Sequence, residues 1–159
     1  MEKRRLEIKF TKAMEISFSN SKKSYEIGVE LLSGCREQND KHGMAKAYLL
    51  LAYSGQFLGF YAQSYEYVNL SIPILIQFKD SKNLASAYNT LGFIYYYFDD
   101  HKNRLEVNLK SLEISKSVGN EDGYLRSLNN TGDTYLKLGK YEEALKFFNQ
   151  TLALCKKEK

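Results

Sequence analysis

Proline occurs once in the 159 residues, glycine ten times and cysteine twice. So little proline and glycine argues against an all-β chain, which needs a tight turn between successive strands. The two cysteines, Cys35 and Cys155, lie far apart in helix-like segments. They do not make the disulfide framework of a small secreted domain, and free buried thiols are expected. No apolar run approaches the roughly 18 residues of a membrane helix. The opening Met1-Glu2-Lys3-Arg4-Arg5 leads into alternating charged and apolar residues, which is no signal peptide. A cytoplasmic location away from membranes is expected.

Charge of either sign is also not concentrated. Lys and Arg number 23 against 19 Asp and Glu, a net +4. The basic residues are spread along the chain, with Lys3-Arg4-Arg5 and Lys156-Lys157 at its two ends, where a nucleic-acid-binding stripe is hard to build. Nucleic acid is therefore not expected as a partner. What the chain does have is 43% hydrophobic and 26% charged residues, enough to bury a core.

It also has an internal repeat with a period of forty. Leu91-Gly92-Phe93-Ile94-Tyr95 falls over Thr131-Gly132-Asp133-Thr134-Tyr135, and Leu51-Ala52, Gly59, Tyr61 and Ile72 occupy the same columns one period earlier. Asp40, Asp80 and Asn120 each precede an apolar helical pattern and suit an N-cap. Four copies follow, over residues 1–40, 41–80, 81–120 and 121–159, the first fitting better with a one-residue shift in its opening helix.

Within a copy the apolar spacing is helical twice. Leu84, Tyr88, Leu91, Tyr95 and Phe98 step by three and four along one helix face, and Leu105, Leu109 and Leu112 mark a second helix beyond Asp99-Asp100. The last copy carries Tyr141, Ala144, Leu145, Phe148, Thr151, Leu152 and Cys155 on one stripe. Ala52, Gly92 and Gly132 share a column in which a missing side chain lets the neighbouring helix come close. Glycine inside a helix costs about 1 kcal/mol against alanine, so its return there points to close packing. Each copy is a helical hairpin that cannot bury its apolar face alone.

These residues resemble the tetratricopeptide repeat, whose hairpin carries a large residue, Leu-Gly, Tyr, then a small residue and an aromatic. Here that reads Leu128, Thr131-Gly132, Tyr135, Ala144 and Phe148, and one period earlier Tyr88, Leu91-Gly92 and Tyr95, with Arg104 and Asn108 in place of the small and aromatic residues. The forty-residue period is similar to that of kinesin light chains, GoLoco-binding adaptors and bacterial signalling proteins. The resemblance implies an all-α fold, a right-handed α-solenoid of about four hairpins forming a single domain over 1–159. It implies a noncatalytic scaffold, regulatory in role, for a protein or peptide segment. The alternative it implies is an N-terminal sensory or dimerisation module of a bacterial signalling enzyme, a diguanylate cyclase or histidine kinase, with its output domain beyond residue 159.

Chemistry is scarce. His42 and His101 fall in inter-helix turns with no second His or Cys at metal-ligand spacing. Gly139-Lys140-Tyr141 lacks the rest of a phosphate loop. Asp99-Asp100 and Glu142-Glu143 sit where helices start, which the helix dipole explains. No catalytic residue, metal or cofactor is expected. Pro73 interrupts the second helix of the second copy, as a static kink or as a hinge.

Stacked as in the family, first helices line a concave surface. Its columns hold Lys46, Leu49, Tyr53, Gln56 and Phe57, then Ser86, Asn89, Phe93, Tyr96 and Tyr97, then Arg126, Asn129, Asp133, Leu136 and Lys137. Asn89 and Asn129, one period apart, either hold an extended peptide by their amides or bond a neighbouring helix. The expected partner-binding set is Tyr53, Gln56, Phe57, Asn89, Phe93, Tyr96, Tyr97, Arg126, Asn129, Asp133 and Lys137. Leu145, Phe148 and Leu152 form a stripe that would normally receive a following helix, so a homodimer or a missing downstream domain is expected at that edge.

Overall fold

The computed structural model describes residues 2–157. Among the described residues there are eight α-helices and no strand: α1 (Glu2–Ile16), α2 (Ser21–Glu37), α3 (Lys41–Phe57), α4 (Tyr61–Gln77), α5 (Ser81–Tyr97), α6 (His101–Ser117), α7 (Glu121–Lys137) and α8 (Tyr141–Lys157). The all-α class and the helix pairs read from the columns are present.

The cadence is set by linkers that end one helix and start the next. Asn39, Gly59, Lys79, Asp99, Gly119 and Gly139 adopt the left-handed conformation, with φ between 53° and 79°. The following amide then returns to a carbonyl five residues back, as in Asp40 to Cys35, Asp80 to Leu75 and Asn120 to Ser115, at 2.9–3.0 Å. This is the Schellman closure of a helix C-terminus. The residue that completes it is itself an N-cap in four linkers: Asp40, Asp80, Asp100 and Asn120 accept from the amides of Gly43, Asn83, Asn103 and Gly123. The first linker lacks a left-handed residue, and the amide of Asn20 instead bonds the carbonyl of Ile16 at 2.7 Å. This different closure accounts for the shifted register of the first copy.

Lys79 holds the left-handed conformation, φ 54°, at a position where Gly59, Gly119 and Gly139 need no accommodation. Lys79→Gly is expected to raise stability by up to about 1 kcal/mol, because a Cβ in this region costs roughly 1–2 kcal/mol and the glycine recovers part of it. Chemical denaturation of the two proteins measures it.

The chain packs as two compact units, Met1–Asn83 and Leu84–Lys159. In the first, α3 lies against α2, α4 and α1. All six residues from Ala47 to Ala52 are buried, so this helix is covered nearly all round. Leu49 is therefore core, fully buried, although its column belongs to the groove-facing set; α1 packs against this helix. In the second unit α7 packs on both α6 and α8. A Cβ added at Gly132 would meet the Phe148 ring at 2.8 Å, the close approach expected from that column. A staple recurs one period apart: the Ser71 hydroxyl donates to the Ala45 carbonyl at 2.8 Å, and Ser111 to Ala85 at 2.9 Å.

Several expectations are corrected. The buried face of α6 is mostly polar, with Arg104, Asn108, Ser111 and Ser115 beside Val107, while Leu109 is exposed. Phe98 lies beyond the end of α5 and is 47% exposed; Ile94 is the fully buried residue of that turn. Cys35 is buried but Cys155 is exposed. His42 and His101 belong to the first turns of α3 and α6 rather than to linkers. Helix α4 runs through Pro73, which is exposed. Of the α8 stripe, Leu145 and Leu152 are more than half exposed, while Phe148 is partly buried against Gly132.

Candidate functional site

In the second unit, the last turn of α5 carries three rings. Phe93 lies 5.0 Å from Tyr97, and Tyr97 meets Tyr96 edge-on at 5.6 Å between centroids. Tyr96 and Tyr97 are 40% and 47% exposed. Helix spacing puts Phe93 and Tyr97 one turn apart on one face of α5.

Arg104, in the first turn of α6, reaches beneath this cluster and is 6% exposed. Its guanidinium carbon sits 4.7 Å from the Tyr96 centroid, and Nη2 donates to Asp133 Oδ2 of α7 at 2.8 Å. Lys137, one turn beyond Asp133, places Nζ 5.9 Å from the same Tyr96 ring. One aromatic face thus lies among two cations and a carboxylate, an arrangement that attracts both charge and apolar surface. The sequence showed Arg104 only as a departure from the small residue of its column. The signal was there: Ser64 and Ala144 occupy that column in neighbouring copies.

Asn89 and Asn129 share a column but not a fate. Asn89 is buried, and its Oδ1 lies 3.2 Å from the Ser127 hydroxyl, which also approaches Ser111 Oγ and the Gly123 carbonyl. Asn129, on the last first-type helix, is exposed, as are Arg126 and Leu136. Ser127 of the later helix α7 covers Asn89, whereas among the described residues no later first-type helix lies over α7.

In the first unit Tyr53 and Phe57 are partly exposed and meet edge-on at 5.4 Å, and Phe18 adds a third ring 5.6 Å from Phe57. Gln56 is buried beneath them, 4% exposed. Lys46 donates to both oxygens of Glu7 at 2.7–2.8 Å and stands 3.9 Å from Asp80. His42 Nε2 lies 2.7 Å from Asp80 Oδ2, with its ring stacked on Phe78 at 4.9 Å.

Burial alone would raise the Asp80 carboxyl, but hydrogen bonds from Asn83 and His42 and the charge of Lys46 outweigh it and hold its pKa below the ordinary 3.8. A depressed carboxyl contributes stability above its unfolded pKa and loses it as pH falls through the folded one. The melting temperature of Asp80→Asn is expected to lie below that of the wild type at pH 6, with the gap closing as the pH is taken below about 4. A gap independent of pH would show that the carboxylate contributes by shape alone.

Among the described residues no group of three or more His, Cys, Asp or Glu side chains is placed to hold a metal. No helix among them is long and apolar enough to cross a membrane.

The sequence profile described as Tetratricopeptide repeat matches residues 105–157. The TPR domain of Arabidopsis FLU superposes with a TM-score of 0.69 at 19% identity, over 74% of this chain and 98% of that one. Human G-protein-signaling modulator 1 is 32% identical over 66 residues, 42% of this chain and 10% of that protein. The chain resembles the tetratricopeptide-repeat (TPR) family over residues 105–157. It spans about one tenth of the length of the curated relative it matches. BtubC (BKLC) from P. vanneervenii superposes with a TM-score of 0.80 at 17% identity, over 96% of this chain and 64% of that one. The fold class is accordingly the helical-hairpin solenoid of TPR domains. TPR repeats are protein-interaction modules and generally carry no catalysis.

Proposed function

We propose that this chain is a TPR domain and a noncatalytic regulatory scaffold that holds a protein or peptide segment on the faces of its first-type helices. The observation that carries the reading is the half-exposed ring cluster of Phe93, Tyr96 and Tyr97 beside Arg104, Asp133 and Lys137. Exposed aromatic area rimmed by charge is the usual form of an interaction surface. Arg126, Asn129, Asp133 and Lys137 are its polar contacts, and Asn89 supports it from beneath. Tyr53 and Phe57, with Gln56 below them, form the corresponding contact area of the first unit. A regulatory role draws support from the human relative, a modulator of G-protein signalling by name.

A photo-crosslinking amino acid at Tyr97, irradiated in the native cell, is expected to give discrete protein adducts. The same group at Leu109, an exposed residue of α6, is the control and is expected to give none of them. Identical adduct patterns at the two positions, or none at position 97, would remove this face as the binding surface.

A further inference from the structure

Arg104 is charged at a column where its counterparts Ser64 and Ala144 are small, and it is buried. A guanidinium has five donors in a fixed fork and cannot shed its proton. Taking it out of water is costly unless those donors are met. Asp133 meets one of them, through Nη2. Nε and Nη1 have no acceptor among the described residues.

From these observations we infer that Arg104 is the anchor of a carboxylate site, and that the segment held on this face is acidic. The inference rests on the binding-surface reading above and adds the chemistry of the occupant. Asp133 marks the approach: its side chain is 37% exposed, yet one of its oxygens touches the buried guanidinium. A glutamate or aspartate of the partner enters along the same path and takes the fork through two parallel hydrogen bonds, the geometry in which arginine binds carboxylate best. Asp133 is then the intramolecular stand-in that the partner's carboxylate displaces. Tyr96, stacked on the guanidinium and 40% exposed, offers its ring to the methylenes of the entering side chain. Lys137, over the same ring, adds a second positive charge. Arg104 and Lys137 both stand over the Tyr96 ring, and an acidic segment complements their charge.

The test follows the Nε–Hε resonances of the five arginines, Arg4, Arg5, Arg36, Arg104 and Arg126, by nitrogen–proton correlation NMR during titration with acetylated, amidated tetraglutamate. Tetraglutamine is the neutral control. The Arg104 resonance is expected to move saturably with tetraglutamate and to stay in place with tetraglutamine, and the response is expected to weaken as salt is raised. Asp133→Asn removes the competing charge but keeps an acceptor for Nη2, and is expected to tighten binding by about fivefold. Lys137→Ala is expected to weaken it by about threefold. An Arg104 resonance that ignores tetraglutamate in both the wild type and Asp133→Asn overturns the inference, as does one that answers both peptides equally. If the position-97 adducts persist in that case, the binding surface stands and only its acidic specificity falls; if they are absent too, both readings fall.

Discussion

Leu128→Ala is expected to cost about 2–5 kcal/mol, the range for a large-to-small change at a site that cannot collapse. Leu128 has no exposed surface, and it sits on α7, which is packed between α6 and α8. Its neighbours Ser127, Thr131, Gly132 and Thr134 are also buried and small, and the three hydroxyls are held by hydrogen bonds, so they have little freedom to fill the space. For a domain of this size each kcal/mol shifts the melting temperature by about 2–4 °C, and a helical melt reads the loss directly. Leu145→Ala, the same substitution one helix later, is expected to change stability by less than about 0.5 kcal/mol. Leu145 is 60% exposed, so removing it opens no cavity. Equal losses at the two positions would mean that α8's outer stripe is covered.

Gly92→Ala and Gly34→Ala are expected to move stability in opposite directions, although both exchange a helical glycine for the best helix former. At Gly34 of α2 an added Cβ meets nothing within 4 Å, and the change gains about 1 kcal/mol of helix propensity. At Gly92 of α5 the Cβ would stand 2.3 Å from Asn108 Oδ1. Asn108 is fully buried and its amide donates to Thr134 Oγ1 at 3.1 Å, so it cannot withdraw without breaking that bond. Overpacking typically costs about 1–3 kcal/mol, and against the propensity gain a net loss of about 1–2 kcal/mol is expected. A double-mutant cycle with Asn108→Ala isolates the cause: the loss at Gly92 should shrink or reverse once the amide is gone. If it does not, the tightness at Gly92 does not come from the Asn108 side chain.

The candidate site was legible in part. Phe93, Tyr96, Tyr97, Asp133 and Lys137 follow from the forty-residue columns, since a helical period assigns each a face. Asn89 and Asn129 are the same letter in the same column, yet only the first is covered by a later helix and bonded to Ser127. Arg104 was visible as an irregularity in the repeat, but its reach to Tyr96 and Asp133 was not. Leu105, Leu109 and Leu112 correctly marked α6 as a helix, but Leu109 is exposed and the buried residues are Arg104, Val107, Asn108, Ser111 and Ser115.

The sequence by itself determined the number of helices and their succession in hairpins, though not every boundary, since Phe98 lies outside α5 and His42 and His101 lie inside α3 and α6. These depend on bonds spanning five residues or fewer, such as the N-cap of Asp40 on Gly43 and the return of its amide to Cys35, and such chemistry is written in adjacent letters. Only the tertiary structure decided which polar side chains are core, where a glycine is irreplaceable and what Arg104 touches. Asn108 is buried because Gly92 leaves room for it and Thr134 bonds it. Arg104 is held by Tyr96 and Asp133, on different helices. A buried polar group takes its environment from whichever side chains the neighbouring helices bring within hydrogen-bond reach, and helical spacing within one segment carries no record of them.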